Sequence, residues 1–433
     1  MSLSPGTTNN QHPQPRVVSV PTYPRDSKYY YSDGSGQFLV DGVLFKVGHG
    51  EPWCNLLTFL SWTSPNPTYV VVWIYKVQFT LVFGPRPASP TNQTGGHGPM
   101  YIEDILSMLS NSSDYSIEIH GVTAAQFRDY LLILLGRPYD DQYINLITAY
   151  LEPTKHTKHL CVRYLDIATL ARRFGMVKLE YWAIGALHAI FTRSAETLAA
   201  IALEEWDSGT VLRLRALTRN TKVDLSALAM IQHIISLGSS DETIRRTLGD
   251  RINDLPCVGL YHNLKTSDAD PVLFGCAFLN VLSLGHGSPV WARCLTRDDR
   301  ALLYAAQAQL VDTPRALELD LPVGWSSELG LATACDICKK KYVAGWNQCF
   351  GQSYNALGSG LPLKDVSLLA RLPIHRHTLW GLTKPGAGLA SLLSGTCENK
   401  PPCSVALLDS VDTHIRQVFT KASAKYKKIA EEL

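Results

Sequence analysis

The clearest pattern in the chain is the stretch LCVRYLDIATLARRFGMVKLEYWAIGALHAI, residues 160–190. Tyr164, Ile167, Ala168, Ala171 and Phe174 recur at helical spacing, while Arg163, Asp166, Arg172 and Arg173 fall largely elsewhere. Gly175 is placed to end that helix. A second stripe follows in Leu179, Trp182, Ala183, Ala186, Leu187 and Ile190. The spacing predicts a helical hairpin packed on another element. Downstream, Leu198, Ile201, Ala202 and Trp206 share a helical face, as do Leu228, Ile231 and Ile235, with Asp224 as a cap and Gly238 as a stop. Asp270-Pro271 opens a helix over VLFGCAFLNVLSL, and Thr296 with Asp299 opens another over RALLYAAQAQLV. A final run places Leu408, Val411, Ile415, Phe419 and Ala422 on one stripe, with Lys421, Lys425, Lys427 and Lys428 on its solvated side.

Upstream the period changes. QFLVDGVLFKV, residues 37–47, reads as two short strands around Asp41-Gly42, a pair suited to a tight hairpin turn. TYVVVWIYKVQFTLVF, residues 68–83, is β-branched, and its second half alternates apolar Tyr75, Val77, Phe79 and Leu81 with polar Lys76, Gln78 and Thr80. Its shortness and the central Lys76 argue against a membrane span. SIEIHGV, residues 116–122, is a strand, followed by a helix that Thr123 and Gln126 open as a capping box. Residues 1–27, with five prolines and few large apolar residues, read as disordered.

The composition fits a globular protein: of 433 residues, 45% are hydrophobic and 18% charged, and the formal net charge of +2 gives no strong field for nucleic acid or a membrane surface. No secretory signal is read at the N-terminus, so the acceptor patterns at Asn92 and Asn111 are not expected to carry glycans. The ten cysteines are scattered, several inside apolar helical runs, which suits free thiols in a reducing, intracellular setting, nucleus or cytoplasm.

Candidate chemistry is sparse. Cys335 and Cys338 have the CxxC spacing that lets two thiolates grip one zinc ion, with Cys397 and Cys403 as the nearest second pair and Cys349, His375 and His377 as further options. The long interval between the pairs departs from compact zinc modules, and reduced structural cysteines are the competing reading. His156, His159 and Cys161 could bind a metal from one helix, but they open the helical pair, where a solvent-facing turn is the simpler role. NTKVD, residues 220–224, has no phosphate-binding loop to accompany it, since Gly-Lys does not occur in the chain. DGSGQF and LGSGLP lack the setting of a dinucleotide site, and neither GxSxG nor HExxH is present. Trp53, Trp62 and Trp73 crowd residues 48–100, where they mark either an interface or an aggregation-prone run. No catalytic, cofactor or metal residue is assigned.

Two blocks together resemble a BTB/POZ domain of the kind abundant in mushroom-forming fungi. FLVDGVLFKV is similar to the opening β-hairpin of that family. IEIHGVTAAQFRDYLLILLGRPYDD with CVRYLDIATLARRFGMVKLEYWAIGAL is similar to its helix after the third strand and its closing helical pair. The resemblance implies an α+β fold: a BTB/POZ-like N-terminal domain of a small sheet plus helices over residues 28–192, then a mainly α-helical C-terminal domain over 193–433. It implies a non-catalytic protein–protein interaction module, an adaptor or scaffold associated with ubiquitin ligation or transcription. Protein partners, a homodimer and a cullin-class scaffold are the expected company; no membrane or nucleic acid is.

The chain departs from the family across residues 48–115. There the family has a His and two short helices that build much of the dimer surface and contribute to cullin-class binding. Here Gly48 follows Val47, His49 comes one place late, and EPWCNLLTFLSWTSPNPTYVVV replaces the helices. The segment reads as intronic sequence carried into the protein, with a genuine insertion as the other reading. The alternative for the whole chain is a zinc-stabilised helical module that binds nucleic acid or a regulatory protein.

Overall fold

The computed structural model describes residues 16–19, 23–30, 34–48, 55–60, 69–74, 115–137, 139–239, 255–311, 335–336, 366–383 and 403–433. Among these the fold is α+β: strands occupy the N-terminal part and helices the rest. Two compact units divide the chain: Met1–Lys155 with His159–Leu187, and His156–Lys158 with His188–Leu433. The division falls inside one helix, at Leu187, where the sequence suggested a boundary at 192/193.

In the first unit, β3 (Gly34–Val40) and β4 (Val43–Gly48) form an antiparallel hairpin. Asp41 and Gly42 both adopt positive φ, 50° and 70°, as a two-residue turn matched to strand twist requires. Strand β7 (Tyr115–Ile119) lies parallel to β3, with Phe38 opposite Ile117 and Val40 opposite Ile119. Strands β1 (Arg16–Ser19) and β2 (Arg25–Tyr30) form the two edges, giving the order β1-β7-β3-β4-β2. The expected disorder over residues 1–27 is therefore corrected at 16–19 and 25–27. The backbone amides and carbonyls of β1 find partners on the open edge of β7, which local composition does not reveal.

A separate antiparallel pair joins β5 (Asn55–Leu60) to β6 (Tyr69–Ile74). The strand thus falls in the first half of 68–83; the alternating stretch 75–81 lies outside the described residues. Strands, not two short helices, stand in these parts of the segment that departs from the family pattern.

Helix α1 (Ala124–Leu135) starts from the expected capping box, with Thr123 Oγ1 accepting from the Gln126 amide at 3.3 Å and Gln126 Oε1 from the Thr123 amide at 2.8 Å. Helix α2 (Asp141–Thr148), not anticipated from sequence, is capped by Asp140 and buries Tyr143 and Leu146 one turn apart. Helices α3 (Lys158–Arg173) and α4 (Val177–Phe191) form the expected hairpin about Gly175, whose φ is +69°. Tyr164, Ile167, Ala168, Ala171 and Phe174 are all buried, as their spacing implied. Asp166, assigned to the outer face, is buried too and accepts from Gln126 Nε2 at 2.9 Å.

The second unit contains α5 (Ala195–Ala202), α6 (Ser208–Thr218), α7 (Asp224–Gly238), α8 (Pro256–Leu264), α9 (Pro271–Ser283), α10 (Pro289–Cys294), α11 (Arg297–Val311), α12 (Val366–Ala370), α13 (Leu372–Thr383) and α14 (Cys403–Glu432). Helix α9 is buried on all sides from Leu273 to Leu282, which makes it the axis of the unit. Asp270 caps it through the Leu273 amide, with Pro271 in the first turn. Thr296 and Asp299 exchange side chain–amide bonds ahead of α11. Asp224 does not cap α7. Its carboxylate binds Arg215, whose guanidinium also holds Asp270, because an Arg fork offers donors to both acids.

Helix α14 lies against α9 so closely that a Cβ built on Gly275 would stand 1.9 Å from the Phe419 carbonyl oxygen. The Tyr426 ring meets Phe274 and Phe278 edge-on at 4.8 and 5.1 Å. Gly275→Ala is expected to destabilise the protein by about 3 kcal/mol, since backbone must move to admit the methyl. Gly185→Ala on α4, where nothing stands within 4 Å of the added carbon, is expected to be neutral or to stabilise by about 0.5–1 kcal/mol through helix propensity. Urea unfolding of the two variants against the parent checks both.

Candidate interaction surface

The first unit is built around Phe127. Its ring packs at 5.6 Å from Phe38 and 5.0 Å edge-on to Phe45, the two aromatic positions of the hairpin. Tyr130 and Phe174 extend the cluster, and Val40, Ile119, Leu131, Leu170, Ala171 and Met176 complete it. Residues from both blocks that carry the family resemblance therefore share one sheet and one core. On the opposite face of the hairpin Leu39 and Leu44, paired across the strands, are also buried.

Polar contacts fix the helices on this core. The Asp26 side chain, fully buried, accepts from the Lys28 and Tyr29 amides at 2.9 Å and from Arg128 Nε at 2.6 Å, tying β2 to α1. Burial pushes this carboxyl up, but the Tyr29 amide, the Arg128 guanidinium and the Lys28 amide outweigh it and hold the group below 3.8. Arg163 binds Asp129 through two nitrogens, at 2.6 and 2.9 Å, and so joins α3 to α1. Arg173 Nη1 donates to the His120 carbonyl at 2.7 Å and anchors the loop after β7.

With the core satisfied, apolar side chains remain outside it. Val177 and Tyr181, one turn apart on α4, are 69% and 57% exposed, and the open backbone at Gly185 continues the same line. Tyr139, Ile144 and Leu151 stand out around α2. A rigid helix bearing exposed aromatic and β-branched groups can bury area against a partner without any reactive residue.

Several titratable side chains of the described residues are engaged in internal contacts. A shallow cleft of about 290 Å³ at the joined ends of β3 and β7 is lined by Asp41, Glu118, His120 and the positive-φ glycines 42 and 121. Within it His120 Nε2 lies 3.5 Å from Glu118, and the one hydroxyl of the lining, Thr123 Oγ1, is engaged in the cap of α1. In the second unit Asp299 accepts from Lys265 at 2.7 Å and from the Tyr261 hydroxyl at 3.1 Å, and Tyr261 lies 3.3 Å from the Tyr426 hydroxyl. Burial raises both phenols; it also pushes Asp299 up, but Lys265 and Thr296 outweigh it and hold that carboxyl low, so protonated phenols meet a carboxylate in an internal clamp between α8, α11 and α14.

Of the metal candidates, Cys335 is partly buried and forms no disulfide; Cys338, Cys349 and Cys397 and the side chain of Cys403 lie outside the described residues. His375 is held in α13, and His377 is engaged with the Ala195 carbonyl at 2.6 Å. No group of three potential ligands gathers among the described residues. His159 is exposed as expected, but His156 is buried, which corrects its reading as part of a solvent-facing turn. Cys161, Cys257 and Cys276 are buried free thiols; burial pushes Cys257 up to about 12. The side chains of Trp53, Trp62 and Trp73 lie outside the described residues. Among the described residues no helix is long and apolar enough to cross a membrane.

Sequence reasoning missed Asp26, because its donors lie in another strand and helix, and α2, whose only signals are the Asp140 cap and the Tyr143–Leu146 spacing. Compared with protein-family models, curated proteins and solved structures, the chain matches none.

Asp26→Asn is expected to lower stability by about 2 kcal/mol near neutral pH, the scale of a charged hydrogen bond lost inside the protein. The folded state holds Asp26 below its unfolded value of 3.8, so this contribution is present above about pH 3.8 and is lost as pH falls through the lower folded value. The gap between parent and variant in urea should accordingly close as pH drops below about 3.8.

Proposed function

We propose that this chain is a non-catalytic protein–protein interaction module, an adaptor or scaffold with a BTB/POZ-like N-terminal domain. The observation that carries the reading is the shared core: hairpin β3–β4, parallel strand β7, capped helix α1 and hairpin α3–α4 close into one sheet-plus-helices unit around Phe127. Those elements come from the two blocks on which the resemblance rests, although 66 residues separate β4 from β7. The exposed Val177 and Tyr181 on a helix anchored from beneath supply a face for a protein partner. Homodimerisation and attachment to a cullin-class scaffold belong to the same reading. Both would need a surface other than the two helices the family uses, since β5 and β6 stand in that segment.

The test is affinity capture with the full chain, its Val177→Asp/Tyr181→Asp variant, and a form in which residues 49–114 are replaced by a short Gly-Ser linker. Gly48 sits opposite Gly34 on one side of β3 and β7 lies on the other, so the linker need span only about 10 Å. A protein retained in stoichiometric amount by the full chain, and at least tenfold less by an equally stable double variant, is the expected result. Retention of no protein above the bead control by either the full chain or the linker form would overturn the proposal. Size analysis in solution reports the dimer directly.

A further inference from the structure

His233 lies in the middle of α7, flanked by Met230, Ile231, Ile234 and Ile235, all buried. Its ring is 3% exposed and stacks on His377 of α13, with centroids 4.1 Å apart and planes 18° from parallel. Neither nitrogen of His233 makes a well-formed hydrogen bond, although the Pro373 carbonyl lies nearby. His377 Nε2 approaches the Ala195 carbonyl at 2.6 Å, so that nitrogen carries a proton and donates it to the start of α5. Three helices thus meet on two imidazoles whose stacking suits neutral rings.

Among the described residues the charged groups of the neighbouring helices are engaged elsewhere or exposed. On α13, Arg376 acts on His233 through charge, and it is bound through two nitrogens to Asp412 of α14, each at 2.7 Å. Arg371 and His375 are the other titratable groups of that segment. Arg416 on α14 bonds within its own helix. On α5, Glu196 is exposed. Around α7, Arg215 of α6 is held by Asp224 and Asp270, α8 brings Cys257 and His262, and α9 brings Cys276. Helix α12 contains no titratable residue.

We propose that the stacked pair His233–His377 is an acid-sensitive latch that holds α13 on α7 and releases it when a proton enters the pair. A proton on either ring places a cation, stripped of water, face to face with its neighbour. Burial first, then His377 and Arg376, push His233 down to about 3. The unfolded or released ring takes up its proton near 6.5, so the latch is closed above that value and loosens as pH falls below it, about tenfold per pH unit. Release uncovers Leu372 and Leu379, both fully buried in the closed state. This inference stands apart from the interaction-module reading and does not depend on it.

Native-state hydrogen exchange on the full chain tests the latch, with rates corrected for intrinsic pH dependence. Between about pH 7 and about pH 5.5, opening of amides 372–383 should rise about tenfold while those of 158–173 stay unchanged. The double variant His233→Leu/His377→Leu, which keeps an apolar contact, should abolish the rise; His233→Gln/His377→Gln serves if that variant does not fold. The proposal is overturned if 372–383 do not respond, if the response survives in the folded variant, or if all helices loosen together.

Discussion

The parallel pairing of β7 with β3 is the constraint on which the N-terminal unit depends. Parallel neighbours cannot be joined by a tight turn, so the strand completing the sheet must return from a distance. Once β7 lies beside β3, helix α1 follows from its end, and Phe127 is carried over Phe38 and Phe45. The closing hairpin then covers the same aromatic group through Leu170, Ala171 and Phe174. Asp26 and Arg128 fasten the far edge. Without the β3–β7 contact none of these groups has its partner, because each comes from a different part of the chain.

Many polar groups of the described residues are tied into internal contacts. Tryptophan N–H groups close on carbonyls, Trp206 on Ile201 and Trp291 on Val281, at 2.9 and 2.8 Å. Arg215 draws two acids from separate helices into one contact. Tyr261, Asp299 and Lys265 have the residue types of a proton-transfer site, yet Tyr261 is entirely buried and, among the described residues, its hydroxyl meets Asp299 and Tyr426. A reacting group needs a place for substrate near it, and these residues have filled that place with each other.

Features encoded by neighbouring residues were legible in the sequence. Asp41-Gly42 declares a turn by the backbone angles both residues tolerate, and Thr123 with Gln126 and Asp270 with Pro271 declare helix starts by bonds that span three residues. Stripes such as Tyr164–Phe174 and Val411–Ala422 reported the buried faces correctly. What failed was non-local. Residues 16–19 become a strand only through the edge of β7; Asp224 loses its capping role to Arg215; and Asp166 goes inside because Gln126 meets it there. The imidazole pair was equally hidden, since position 233 reads as one polar interruption in an apolar run and position 377 as a spare metal ligand. The candidate interaction face was only half legible: Val177 and Tyr181 fall off the apolar stripe read for this helix, but spacing alone does not show them exposed one turn apart.

The contact between Gly275 and the Phe419 backbone imposes an order on biosynthesis. Helix α9 leaves the ribosome long before α14, yet its small-residue flank is shaped to receive that later helix and nothing bulkier. Until residue 426 has been made, Phe274 and Phe278 lack the ring that meets them in the finished protein. A message broken anywhere between the two helices would yield a product with a greasy trench in its middle, a substrate for quality control rather than a working fragment.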